Sequence, residues 1–199
     1  MNQLIEKTRD YAIQQIRLNG RPKRYHFRDR VSHTKRVLNW AKRISEIEGG
    51  DIEIIEMAVW LHDIGWDHIV NHALVSGKMS KVFLESIDYP QQKKMKVLQA
   101  ITYHNSRSKD LDFNIETEIV RDADMLDEVG ATTILWDALG TSYNDQASYE
   151  MVYEKSVNFY NHLKNNQKYL LTQTGRALFD ERLAVYKQVI LELAYELNL

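Results

Sequence analysis

The stretch IIEMAVWLHDIG, residues 54–65, decides how this chain is to be read. As far as Leu61 it is apolar nearly all round, which is the pattern of a helix at the centre of a bundle rather than on its surface. It then turns polar at His62-Asp63, just before Gly65, which is placed to supply a C-terminal cap. A carboxylate directly after AVWLH is costly at a buried helix end unless it is paired or metal-bound. His62 and Asp63 stand ~100° apart around an ideal helix, so both reach one ion only where the helix is ending.

Working outward, helix follows helix. Residues 3–18 form an amphipathic helix with Leu4, Thr8, Tyr11, Ala12, Gln15 and Ile16 near one face, stopped by Gly20 and Pro22. RYHFRDRV is a connector. Ser32 then caps a helix on which His33, Val37, Trp40, Ala41 and Ile44 share a side, and Gly49-Gly50 ends it. Asp51 caps the central helix and Asn71 caps HALVSGKMSKVFLESI; after Asp88-Tyr89-Pro90 comes QQKKMKVLQAITYH. A polar loop from Ser106 to Asn114 leads to IETEIVRDADMLDEV, then ATTILWDAL, then long helices from about Tyr149 and Thr172. In the last, Phe179, Leu183, Tyr186, Ile190, Leu193 and Leu197 make a seam that docks on the bundle.

Composition agrees. The chain of 199 residues has 8 Gly and 2 Pro, where an average chain would carry roughly fourteen and ten. Sandwiches and Rossmann-type sheets need more turn residues or a glycine-rich phosphate loop, so the class is all-α. Zero Cys excludes disulfides, thiolate zinc sites, iron–sulfur clusters and a cysteine nucleophile. There is no G-x-S-x-G elbow, and Ser32 is better explained as a cap. No apolar run reaches the ~18–20 residues of a membrane span, and the polar N-terminus lacks a signal-peptide core, which reads as cytoplasmic. A net charge of -2 makes no protein-wide case for nucleic acid. The length suits one domain over residues 1–199, with its motifs in about 30–135 and C-terminal helices over about 141–199.

The chemistry lies in where His and Asp fall. His33 begins one inward stripe, His62 ends another beside Asp63, His72 begins a third, His104 ends a fourth, and Asp124 lies within DADMLDEVGA. A lone histidine on such a stripe reads as a hydrogen-bonded core group; five helix ends or inward faces carrying one donor each read as a metal site. Imidazole and carboxylate suit Mn, Fe, Co, Ni or Zn, with Mg favoured only where oxygens dominate.

The order His33, then His62-Asp63 after an apolar helix, then Asp124 in DADML resembles the HD superfamily of metal-dependent phosphohydrolases. The likeness runs over roughly residues 30 to 135 and takes in SHTKRV, LHDIG, HALVSG and ADMLDEVGA. In its ending it is similar to the small stand-alone bacterial hydrolases of that superfamily. The resemblance implies an HD-domain helical bundle around a buried divalent ion held by His33, His62, Asp63 and Asp124, with Asp122 the fallback for Asp124. His72 and His104 match the second-metal histidines of two-metal members and meet substrate or water in one-metal members, so one or two ions are implied. The implied reaction is hydrolysis of a phosphoester or phosphoanhydride in a small nucleotide-like substrate, by water that the ion acidifies. Asp63 takes part as ligand, and Asp127 or His104 orients or deprotonates the water.

One departure stands out. Many members continue the doublet as HDIGK, whereas here Trp66 replaces the lysine. Arg36, Lys78, Arg107, Lys109 or Arg121 is then needed for the phosphate. Two other readings stay open: a di-iron oxygenase using all six donors, and a non-catalytic helical module with a vestigial metal site. A homodimer is compatible with either.

Overall fold

The computed structural model of the chain describes residues 3–19, 29–66, 71–108 and 111–199. Among them the chain forms nine α-helices, one short 3-10 turn and no strand. Gly20, Pro22, His26, His68, Lys109 and most of the RYHFRDRV connector lie outside the described residues. In chain order the helices are α1 (Gln3–Asn19), α2 (Arg30–Glu48), α3 (Ile52–Leu61), α4 (His72–Ser86), α5 (Gln91–Tyr103), α6 (Ile115–Asp127), α7 (Ala131–Thr141), α8 (Tyr149–Asn166) and α9 (Gln173–Leu197). No helix among the described residues is long and apolar enough to cross a membrane.

The all-round apolar character of α3 has the expected consequence. Ile54, Ile55, Met57, Ala58, Val59, Trp60 and Leu61 are all buried, and α3 packs on α1, α2, α5 and α6. At about 1.5–3 kcal/mol for each large apolar side chain taken out of water, α3 is the strongest single contributor to the core. A second layer is made by α7, α8 and α9, with α9 reaching back to α6 and α2. Along the α9 seam Phe179, Leu183, Tyr186 and Ile190 are buried, while Leu193 and Leu197 are only half-buried.

The caps follow the local chemistry, with two corrections. Asp51, Asn71 and Thr172 each accept a backbone N–H at the start of α3, α4 and α9. The cap of α2, however, is Asp29 and not Ser32: the Asp29 carboxylate accepts from Val31 N (3.2 Å) and Ser32 N (3.0 Å). Ser32 adds its hydroxyl to the same carboxylate at 2.6 Å. The helix therefore starts at Arg30, and His33 sits inside its first turn. Gly65 is not a left-handed cap either, since among the described residues the glycines with positive φ are Gly49, Gly50 and Gly130. It is a point of close approach. Its N–H donates to Ser76 Oγ at 2.9 Å, and a Cβ there would stand 2.7 Å from Ser76 N and 2.9 Å from Val75 Cβ. Gly65 lets the turn after α3 press against α4, which brings His72 beside Asp63.

Asp122 ties the two layers. Its buried carboxylate accepts from Leu171 N (3.0 Å), Thr172 N (2.7 Å) and Thr172 Oγ1 (2.7 Å), and so closes the N-terminus of α9. The negative charge also suits the positive end of that helix. A Cβ at Gly175 would run into Asp122 Oδ2 and stand 2.6 Å from Thr172 Oγ1. Gly175→Ala is therefore expected to cost about 1–3 kcal/mol, read as a lowered denaturation midpoint at unchanged m-value; an unchanged midpoint would mean that this junction is loose.

Candidate metal centre

Five helices deliver their ends to one point. His62, at the end of α3, and His104, at the end of α5, both occupy the position just past the last helical residue. Each donates its Nδ1–H at 2.7 Å to the carbonyl three residues back, Val59 for one and Ile101 for the other. This fixes the tautomer and aims the Nε2 lone pair inward. His33 reaches the same state differently: its Nδ1 lies 2.7 Å from Asp127 Oδ2. His72 enters from the first residue of α4, with its ring edge-on to Trp66 at 4.8 Å between centroids.

Asp63, 1% exposed, lies in the middle and presents its two oxygens to two different sets of donors. Oδ2 is 3.6 Å from His33 Nε2 and 3.4 Å from His62 Nε2. Asp124 Oδ1 completes that group, 3.2 Å from His33 Nε2 and 3.9 Å from His62 Nε2. On the other side Oδ1 is 3.4 Å from His72 Nε2 and 3.7 Å from His104 Nε2, and those two nitrogens are 3.1 Å apart. Asp63 Oδ1 is buried and accepts no hydrogen bond. Two groups of three donors lie within 4.8 Å of one another, His33 with His62 and Asp124, and His62 with Asp63 and His104, and such imidazole and carboxylate groups could hold a divalent cation.

The electrostatics favour neutral imidazoles as donors. Burial first, and then the neighbouring charge of His104, pull His62 well below the ordinary histidine value and His72 to about 4; burial likewise lowers His104. For His33 burial also pulls downward, but hydrogen bonds to Asp124 and Asp127 outweigh it and leave the ring raised. Burial would raise Asp124; the His33 hydrogen bond and the surrounding imidazoles hold it below the carboxylate range.

The structure sorts the remaining expectations. Asp122 faces α9 as described above and is not in this cluster, whereas Asp124 is. Asp127, expected beside a water, is instead occupied by His33 and by a bidentate pairing with Arg36, at 2.6 Å from Nε and 2.8 Å from Nη2. Arg36, expected at the phosphate, is thereby committed to Asp127. Arg121 is fully buried and donates to the carbonyls of Ser106 (2.7 Å) and Ser108 (3.2 Å), with its guanidinium over Phe113. It shapes the loop after α5 rather than offering a free fork. Arg107, on that loop, has a buried Nη1 with no acceptor. Lys78 is exposed on α4. His162 is exposed on α8, paired with Asn166.

Two groups at the site escaped the reading of the sequence. Arg30 pairs with Asp63 Oδ2, and its guanidinium lies 3.8 Å above the Trp66 ring. Its position three residues before His33, on the same helix face, was the available signal. Glu128 is the other: burial and then the charge of Asp124 push its carboxyl up to about 7.

Residues 30–128 match the family model described as HD domain, and the chain carries an HD domain there. It has the fold of HD-superfamily hydrolases. A hydrolase of that superfamily from Bacillus thuringiensis is 24% identical, with a TM-score of 0.76 over 98% of this chain and 96% of that one. Lin1889 from Listeria innocua is 26% identical, with a TM-score of 0.70 over 100% and 99%. Bacillus subtilis YpgQ, in a structure with ADP, is 22% identical, with a TM-score of 0.68 over 96% and 94%. No curated protein matches the chain.

Because Asp127 orients His33 from behind, Asp127→Ala is expected to weaken Mn2+ binding roughly 10–100-fold, measured by calorimetric titration. An unchanged affinity would show that His33 needs no such support.

Proposed function

We propose that the chain is a metal-dependent phosphohydrolase acting on a small nucleotide-like substrate, with two cations per chain. The observation that carries this reading is Asp63, one carboxylate oxygen facing His33 and His62 and the other facing His72 and His104. His33, His62, Asp124 and Asp63 Oδ2 would hold one ion; His72, His104 and Asp63 Oδ1 would hold the other. When bound, divalent cations supply Lewis acidity toward phosphoryl oxygens and acidify water.

The chain's own residues supply the rest. The backbone carbonyls of Val59 and Ile101 keep two imidazoles in the donating tautomer, and Asp127 with Arg36 does so for a third. His104 thus acts as a ligand, since Nε2 is its one ring nitrogen left to offer. Asp127 acts as a positioning group in place of a water-activating base. Arg107, with its unpartnered buried Nη1, is the best-placed of the expected cations to meet a phosphate, whereas Lys78 is exposed on α4. A nucleotide is favoured by the ADP seen in the YpgQ structure.

The test is a panel of nucleoside mono-, di- and triphosphates and generic phosphodiesters with Mn, Co, Ni, Mg, Zn or Fe, with separate assays for phosphate and pyrophosphate. Wild type is expected to turn over at least one substrate class, and Asp63→Ala and Asp124→Ala to fall to background. Full activity in both variants, or an inert wild type with every metal, would end the proposal. Uptake of dioxygen by the iron-loaded protein would instead favour the oxygenase.

A further inference from the structure

The two oxygens of Asp63 are not equivalent. Oδ1 is buried and accepts no hydrogen bond, whereas Oδ2 is paired with the guanidinium of Arg30. Arg30 is well secured there. It stands in the first turn of α2, behind the Asp29 cap, with its side chain mostly buried and its guanidinium on the face of Trp66. Stacking on an aromatic face and pairing with a carboxylate are the two contacts a planar guanidinium makes best. Trp66, which stands where the lysine of HDIGK is found in many relatives, thus removes one cation and holds another.

From this geometry we infer that Arg30 is a built-in counter-cation of the shared carboxylate, which opposes a metal ion in the His33/His62 set more strongly than one in the His72/His104 set. The argument is electrostatic. A guanidinium on Oδ2 withdraws the electron density that this oxygen would donate. It also adds a positive charge within a few ångströms of any cation held by His33, His62 and Asp124. Oδ1 carries no such partner. Asp63 therefore makes two unequal half-sites, and Arg30 sets the inequality. The inference rests on the metal-binding reading above but makes a separate claim, because a merely structural Arg30 would have the opposite effect: its loss would loosen Asp63 and weaken metal binding.

The experiment is calorimetric titration of the full chain with Mn2+ alone, comparing wild type, Arg30→Gln and Arg30→Lys, with circular dichroism to establish folding. Arg30→Gln is expected to bind one of two Mn2+ ions about tenfold more tightly than wild type, with Arg30→Lys close to wild type because it keeps the charge. Trp66→Leu, which removes the support and leaves the arginine, is expected to shift affinity in the same direction by a smaller factor, and it serves where Arg30→Gln does not fold. A wild type that takes up no Mn2+ overturns the metal reading and this inference with it. A wild type that does, with folded Arg30→Gln or Trp66→Leu binding equally or more weakly, overturns the role of Arg30 alone.

Discussion

A carboxylate buried at the end of the most apolar helix is the constraint on which the rest depends. Asp63 follows seven apolar side chains that are themselves buried, so its charge is withdrawn from water by the same packing that stabilises α3. Such a group persists only if polar or cationic partners converge on it. Here they come from several elements at once: α2 brings Arg30 and His33, α3 itself ends on His62, α4 brings His72, and α5 ends on His104. The bundle is an arrangement of helix ends around one acid. The close approach at Gly65 belongs to the same requirement, because a side chain there would push α4, and with it His72, away.

Helix ends suit this purpose for a reason that lies in the backbone. The last carbonyls of a helix have no intrahelical donor. An imidazole placed just past the end can give its Nδ1 proton to one of them and turn Nε2 outward as a lone pair. His62 and His104 do this with identical spacing, and neither needs another side chain to set its tautomer.

Much of this could be read from residue order, and the part that could not has a common cause. The all-round apolar pattern of α3, the caps Asp51 and Asn71, and the histidines at helix ends are local features, visible within one turn of chain. Asp29 and Ser32 are both good caps three residues apart, and local preference does not choose between them. The carboxylate of Asp29 wins by accepting two backbone N–H groups and the Ser32 hydroxyl together. Glycine after a helix ordinarily caps it, which is the local expectation for Gly65; its actual task concerns a neighbouring helix. The arginines were hardest. Arg36, Arg121 and Arg30 are distinguished only by what lies across from them, at sequence separations of 91 for Arg36 with Asp127 and 33 for Arg30 with Asp63.

The role of Asp127 follows from where His33 stands. At the start of a helix the free backbone groups are N–H donors, and the carbonyls already accept from the next turn. A histidine there finds no acceptor for its Nδ1 proton in its own segment, so one must be imported. Asp127 in the last turn of α6 supplies it, and because that carboxylate is also buried, Arg36 from the next turn of α2 neutralises it. The same helix thus provides the histidine and the cation that stabilises the histidine's support, with α6 contributing both Asp124 in front of the ring and Asp127 behind it. This explains why α2 and α6 must be fixed relative to each other, and why α6 is locked at its other face by Asp122 against the start of α9. Two aspartates two residues apart, which order alone leaves as rivals for one task, do different work: Asp124 faces the cluster, and Asp122 holds the helix that presents it.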